Sequence, residues 1–224
     1  MIGIIGAMDI EIEHINNAMT DKEEYTVSGA LYTSGKLGGK DVVTAVCGIG
    51  KVFAAMCAQT MIIKFGAEKI INTGVAGGLT EQTDILDTVV ATAMVQHDMD
   101  TTYFGDPRGM ISGINVVEMA CDGAISEKIC QNTEGKCLRG VIASGDAFIA
   151  DDNKKKDIAD TFGAIACEME GASIAQVCYV NKIPFSVLRT ISDGANGEEM
   201  SYERFRALAA EKAAKVIIKT IQSL

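Results

Sequence analysis

Four acidic side chains stand where a β-rich run gives way to something else. They are Glu11 just after IIGAM, Glu168 and Glu170 on either side of Met169 in IACEMEGASIA (residues 165–175), and Asp193 closing RTISD. The 165–175 stretch otherwise reads as a buried strand running into a buried helix. A carboxylate in such a place costs several kcal/mol unless it is paired, hydrogen-bonded or protonated, so it has a partner or a function. The roles open to it are to take a proton, to give one, or to hold a hydroxyl. Further strand ends carry glycines and polar residues in NTGVAGG (72–78) and SGDAFI (144–149). Each motif alone has a structural reading: glycines after a strand make turns, and a carboxylate after a strand caps a helix. GIGK (48–51) is too short for a phosphate loop of the GxxxxGK[ST] kind.

The elements that must position these residues alternate. IGIIGA is a buried first strand with a helix after it. ALYTSGKLGGKDVVTAVCGIG has the pattern of a hairpin turning at Gly38 and Gly39. Val52, Ala55, Met56, Gln59, Ile62 and Ile63 recur at helical spacing and mark the inward face of the next helix. KIINTGVAGG, DTVVATAMVQHD, LRGVIASGDAF and PFSVLRTISDGA are strands, and the chain closes on a helix with Phe205, Leu208, Ala209, Val216 and Ile217 inward. The alternation predicts one α/β domain over residues 1–224, its central sheet mixed but mostly parallel and flanked by helices. Ligands of such sheets gather where strands end, and that is where the polar residues are.

Composition narrows the choice of function. A chain of 224 residues, 48% hydrophobic, is long enough to bury a full core. It has no apolar run of membrane-spanning length, and Asp9 interrupts the N-terminus too early for a signal peptide, so a cytoplasmic location is expected and no membrane partner. A net charge of -10 argues against nucleic acid. Seven cysteines without CxxC read as reduced core thiols, and His14 and His97 are the only histidines, so no metal and no cofactor is expected. A small molecule is the natural ligand.

Taken together and in order, IIGAM with its following acids, GIGK, INTGVAGG, SGDAFI, CEMEGASIA and RTISD resemble the bacterial 5'-methylthioadenosine/S-adenosylhomocysteine nucleosidases of the nucleoside phosphorylase superfamily. The match runs over nearly the whole chain. It implies a homodimer that hydrolyses the bond between adenine and a 5'-thio-substituted ribose. Such cleavage leaves an oxocarbenium-like sugar and a poor anionic leaving group, so one acid must protonate the purine and one base must activate water. By the resemblance Glu11 is that base, and Asp193 donates a proton to purine N7. Glu170 accepts from the ribose 2' and 3' hydroxyls while Met169 packs on the sugar, and Glu168 is structural or capping. Phe148 stacks on adenine and the backbone of Ile149 reads its edge. Met8, Ile49, Ala76, Gly77 and Ser192 complete the substrate site, Arg189 orients water or Glu11, and Phe104 in HDMDTTYFG reaches into the neighbouring subunit's pocket.

Two positions depart from the pattern. Val75 replaces a frequent serine, removing one hydrogen bond to the attacking water, and Ser112 replaces a proline found in some relatives, which leaves the preferred 5' substituent open. A purine nucleoside phosphorylase, a nucleosidase for aminodeoxyfutalosine, and a noncatalytic nucleoside-binding protein are the alternatives. No arginine precedes Arg108, so the N-terminal half offers none to a phosphate nucleophile, and Glu11 would repel one.

Overall fold

A run that is apolar on both faces has to lie inside a sheet covered by helices. IGIIG does so as β1 (Ile2–Gly6), buried at all five positions. The structure, a computed structural model, describes residues 1–193 and 202–224, without the side chains of residues 193, 202–204 and 206. After β1 come α1 (Asp9–Ala18), the strands β2 (Thr20–Val27), β3 (Ala30–Leu37) and β4 (Lys40–Val46), and α2 (Lys51–Phe65). There follow β5 (Lys69–Gly78), β6 (Thr88–Gln96), the short β7 (Met119–Ala120), α3 (Gly123–Asn132), β8 (Cys137–Ser144) and α4 (Asp152–Phe162). The chain ends with β9 (Ala164–Glu168), α5 (Gly171–Asn181), β10 (Phe185–Asp193) and α6 (Tyr202–Ser223).

The strands form one mixed sheet in the order β10-β6-β8-β9-β5-β1-β4-β3-β2, with β7 beside β6. β1 runs parallel to β4 and β5, β5 to β10, and β8 to β6 and β9. The expected hairpin is present, Leu37 opposite Lys40, and its turn takes Gly38 and Gly39 at φ 57° and 81°, where glycine has no Cβ penalty. Antiparallel pairing goes beyond that hairpin. β2 adds a strand outside β3, β10 meets β6, and β9 meets the end of β5 at Gly77 and Gly78. Because β10 also pairs with β5, the strands β10, β6, β8, β9 and β5 close into a ring, and the ends of β5, β9 and β10 are drawn together.

Helices cover both faces. On one, Ala54, Cys57, Ala58 and Met61 of α2 and Ala172, Ile174, Ala175 and Cys178 of α5 pack on the sheet. On the other, Ile12 and Ile15 of α1, Ile125 and Ile129 of α3, and Ala213, Ile217 and Ile221 of α6 do the same. Two expected faces need correcting. In α2 the buried stripe is the small-residue one, while Val52, Met56 and Ile63 are 70%, 43% and 76% exposed. The helix is apolar nearly all round, and the close approach to α5 selects the stripe with the smallest side chains. In α6 Phe205, Ala209, Val216 and Ile217 are buried as expected, but Leu208 is exposed.

Candidate active site

β1 ends at Gly6, and the turn after it delivers Glu11 as the third residue of α1. Its carboxylate reaches back to accept from the N–H groups of Ala7 at 2.7 Å and Met8 at 3.0 Å, the capping geometry of a first-turn glutamate. The other oxygen lies over Gly74 of β5: a Cβ there would sit 3.0 Å from Glu11 Oε1 and 3.5 Å from Arg189 Cζ. Glu11 is 4% exposed, and burial raises its pKa against the pull of Arg189 and of the backbone donors. A carboxyl held this way is a better base than an exposed one.

At the other strand end the two glutamates divide their roles. Glu168 closes β9 and accepts from the N–H groups of Glu170 and Gly171, which open α5, and from Ser144 Oγ at the end of β8. It also pairs with Arg189 of β10, which is 1% exposed and donates in turn to Asn72 Oδ1 of β5. Its lone pairs are thus spent on structure, the capping role expected for it. Glu170 points the other way. Its Oε1 accepts from Gly50 N at 2.8 Å, and among the described residues its Oε2 has no hydrogen-bond donor. Burial first, then the nearby charge of Glu168, pushes its pKa up to about 7. One oxygen of Glu170 is therefore already held by the protein itself. The direct carboxylate partner of Arg189 is Glu168, while Glu11 feels its charge through space. Arg189 Nε has no partner among the described residues.

One cavity joins these groups. Glu11, Met8, Ile49, Ala76, Gly77, Phe148, Met169, Glu170, Arg189 and Ser192 all line it, with Val75 on the same wall. Ile49 and Phe148 are 59% and 78% exposed and form its mouth. Ser192 Oγ donates to Ala76 O at 3.2 Å, tying β10 to β5 at the wall. Ile149 lies in a small adjoining recess beside Phe148 and Met169. Asp193 ends β10 at the same rim, though its side chain lies outside the described set. Phe104 is not among the lining residues. It sits in a single 3-10 turn (Thr102–Phe104), 80% exposed beside Tyr103.

Some residues of the site carried no sequence signal of their own. Thr73, Gly74 and Cys167 line the cavity, and Gly50 supplies the N–H for Glu170 from the GIGK turn. Asp146 in SGDAFI accepts from Lys51 N at 2.7 Å, and Lys51 Nζ pairs with Asp98 at 2.7 Å, fastening the start of α2 to the loop that bears Phe148. The quoted motifs contain most of these positions, but only the folded chain shows which atoms meet. No group of three or more potential metal ligands occurs among the described residues.

Residues 1–222 match the family model described as the phosphorylase superfamily. The 5'-methylthioadenosine/S-adenosylhomocysteine nucleosidase of Shewanella loihica is 36% identical over 233 residues, covering 100% of this chain and 99% of that one. The chain belongs to the 5'-methylthioadenosine/S-adenosylhomocysteine nucleosidase family of the phosphorylase superfamily. Among solved structures, this nucleosidase-family chain superimposes on the Campylobacter jejuni member with a TM-score of 0.95 at 36% identity, covering 100% and 99% of the two chains. A futalosine hydrolase mutant of Helicobacter pylori is also similar, with a TM-score of 0.93, 35% identity and the same coverage. The nucleosidase family thus shares its fold with a protein named as a futalosine hydrolase.

Proposed function

We propose that the protein hydrolyses the N-glycosidic bond of 5'-methylthioadenosine and S-adenosylhomocysteine, releasing adenine and the 5'-thioribose. The observation that carries this reading is that Glu11 and Glu170 enter one cavity from different elements, Glu11 held by two backbone N–H groups and Glu170 by one, and each with its pKa raised. Glu11, at the floor, takes the proton of the attacking water. Glu170, below the GIGK turn, accepts from the ribose hydroxyls, and charge-assisted bonds of that kind are the stronger ones. Phe148 at the mouth offers a face to adenine, Ile149 its backbone, and Asp193 a proton for N7.

Water is favoured over phosphate as nucleophile because the described arginines are taken. Arg108 pairs with Asp157 at 2.6 Å, Arg139 with Glu127 at 3.1 Å, and Arg189 with Glu168. A dianion would also have to approach Glu11. Incubation with methylthioadenosine in phosphate-free buffer should therefore yield adenine, and a strict requirement for phosphate would overturn the hydrolase reading. Aminodeoxyfutalosine is the second reading, favoured by the likeness to the futalosine hydrolase. The ratio of kcat/KM on the two nucleosides decides between them.

The working form in this reading is a homodimer in the cytoplasm, serving methionine salvage. No helix of the described residues is long and apolar enough to cross a membrane. The exposed side of α2 supports the dimer: Val52, Phe53, Met56 and Ile63 stand out of it, with Ile49 in the turn before it and Tyr179 and Val180 of α5 also exposed. Phe104 would complete the partner's 5' pocket from such an arrangement. Sedimentation of the parent and of Phe53→Asp should give a dimer and a monomer respectively.

A further inference from the structure

Two of the seven cysteines do not sit alone. Cys130 lies in the last turn of α3 and Cys137 is the first residue of β8, and their sulfurs are 2.6 Å apart. The backbone on either side is fastened. Thr133 N donates to Cys130 O at 3.1 Å and Thr133 Oγ1 to Ile129 O at 2.8 Å, while Lys136 O accepts from Thr88 N at 3.2 Å. The two thiols are therefore held together by the fold. Both are partly exposed, within reach of a small molecule.

We propose that Cys130 and Cys137 form a dithiol modification site that reacts with low-molecular-weight disulfides and closes to an intramolecular disulfide. Selectivity among the cysteines follows from their surroundings. Burial pushes the thiols of Cys57, Cys121 and Cys178 up to about 12, which leaves them inert. Cys137 goes the other way. The hydrogen bond shared with Cys130 lowers its pKa against burial, with help from Thr133, Arg139 and Lys212. The same two cations would attract an anionic disulfide such as that of glutathione.

Cys137 thiolate attacks one sulfur of the small disulfide, its S–S bond breaks, and one small thiolate leaves. Cys130, losing its proton, then attacks Cys137 Sγ and expels the second small thiolate. Two protein thiols are oxidised and one small disulfide is reduced to two thiols, so no other oxidant is needed. The site is remote from the cavity. β8 carries Cys137 at its start and Ser144, the partner of Glu168, at its end, and seven residues at about 3.3 Å each set them roughly 20 Å apart.

The test is to incubate the folded, fully reduced protein anaerobically with glutathione disulfide, block free thiols, digest with trypsin and read the peptides by mass spectrometry. The peptide ICQNTEGK should appear joined to CLR, and dithiothreitol should release both. Cys130→Ser should stop at a glutathione adduct on Cys137, whereas Cys137→Ser should leave Cys130 unmodified. The proposal is overturned if ICQNTEGK and CLR are recovered unlinked, if the link forms only in denaturant, or if the adduct builds on Cys130 in Cys137→Ser.

Discussion

The state of Glu170 makes a sharp prediction about the substitution Glu170→Gln. The folded protein raises this pKa from 4.5 to about 7, whereas in the unfolded chain the group ionises at its ordinary value. Between those two values the folded state binds the extra proton, so stability falls as pH rises through that window and is level above it. The displacement corresponds to ~3 kcal/mol lost by about pH 8. Glutamine keeps the bond from Gly50 N through its amide oxygen and never ionises, so Glu170→Gln should be more stable than the parent at pH 8 by up to ~3 kcal/mol, and near equal to it at about pH 4. With a urea m-value of about 2 kcal/mol per molar, the midpoint at high pH should move up by ~1.5 M. Adenine release should be lost at either pH. A midpoint for Glu170→Gln at or below the parent's at pH 8 would refute the reasoning, because the ionised carboxylate would then be no burden to the fold.

Glu168→Gln should behave in the opposite way: it leaves Arg189 buried without its countercharge, costing ~3–5 kcal/mol, to be read as a lower urea midpoint. Gly74→Ala places a methyl 3.0 Å from Glu11 Oε1, and kcat for methylthioadenosine should fall at least tenfold while the circular dichroism spectrum is kept. Asp193→Asn should slow adenine release about 10²- to 10⁴-fold but spare a 5'-thioriboside with a nitrophenolate leaving group, since general acid help matters only to a leaving group that needs it. Equal losses on the two substrates would remove Asp193 from the acid role.

Much of this was written in the local sequence, and the failures have physical causes. Strand ends could be read because buried runs stop at glycine or at a carboxylate, and the pairing of an apolar corner with Glu168 and Glu170 announced the site. α2 misled because a helix apolar nearly all round has no preferred face until a neighbour is chosen, and α5 chose Ala54, Cys57, Ala58 and Met61. β2 gave no strand signal since TDKEEYTV is charged and largely exposed. Its place comes from the free edge of β3, a long-range partner that no local pattern reports. The division between Glu168 and Glu170 was legible only as far as the helix start, because Arg189 and Gly50 come from distant parts of the chain.

Glu168 gathers Ser144 from β8, Arg189 from β10 and, through Arg189, Asn72 from β5, with the first amides of α5 above it. This knot separates what can vary from what cannot. The floor is held by buried bonds between strands, whereas the mouth at Ile49 and Phe148 is exposed. Changes at the mouth can retune what the cavity accepts without disturbing the floor. A lineage of such proteins can therefore move between substrates through small steps, each leaving a folded and chemically competent molecule. The likeness of this chain, at 35% identity, to a futalosine hydrolase is what such freedom would leave behind.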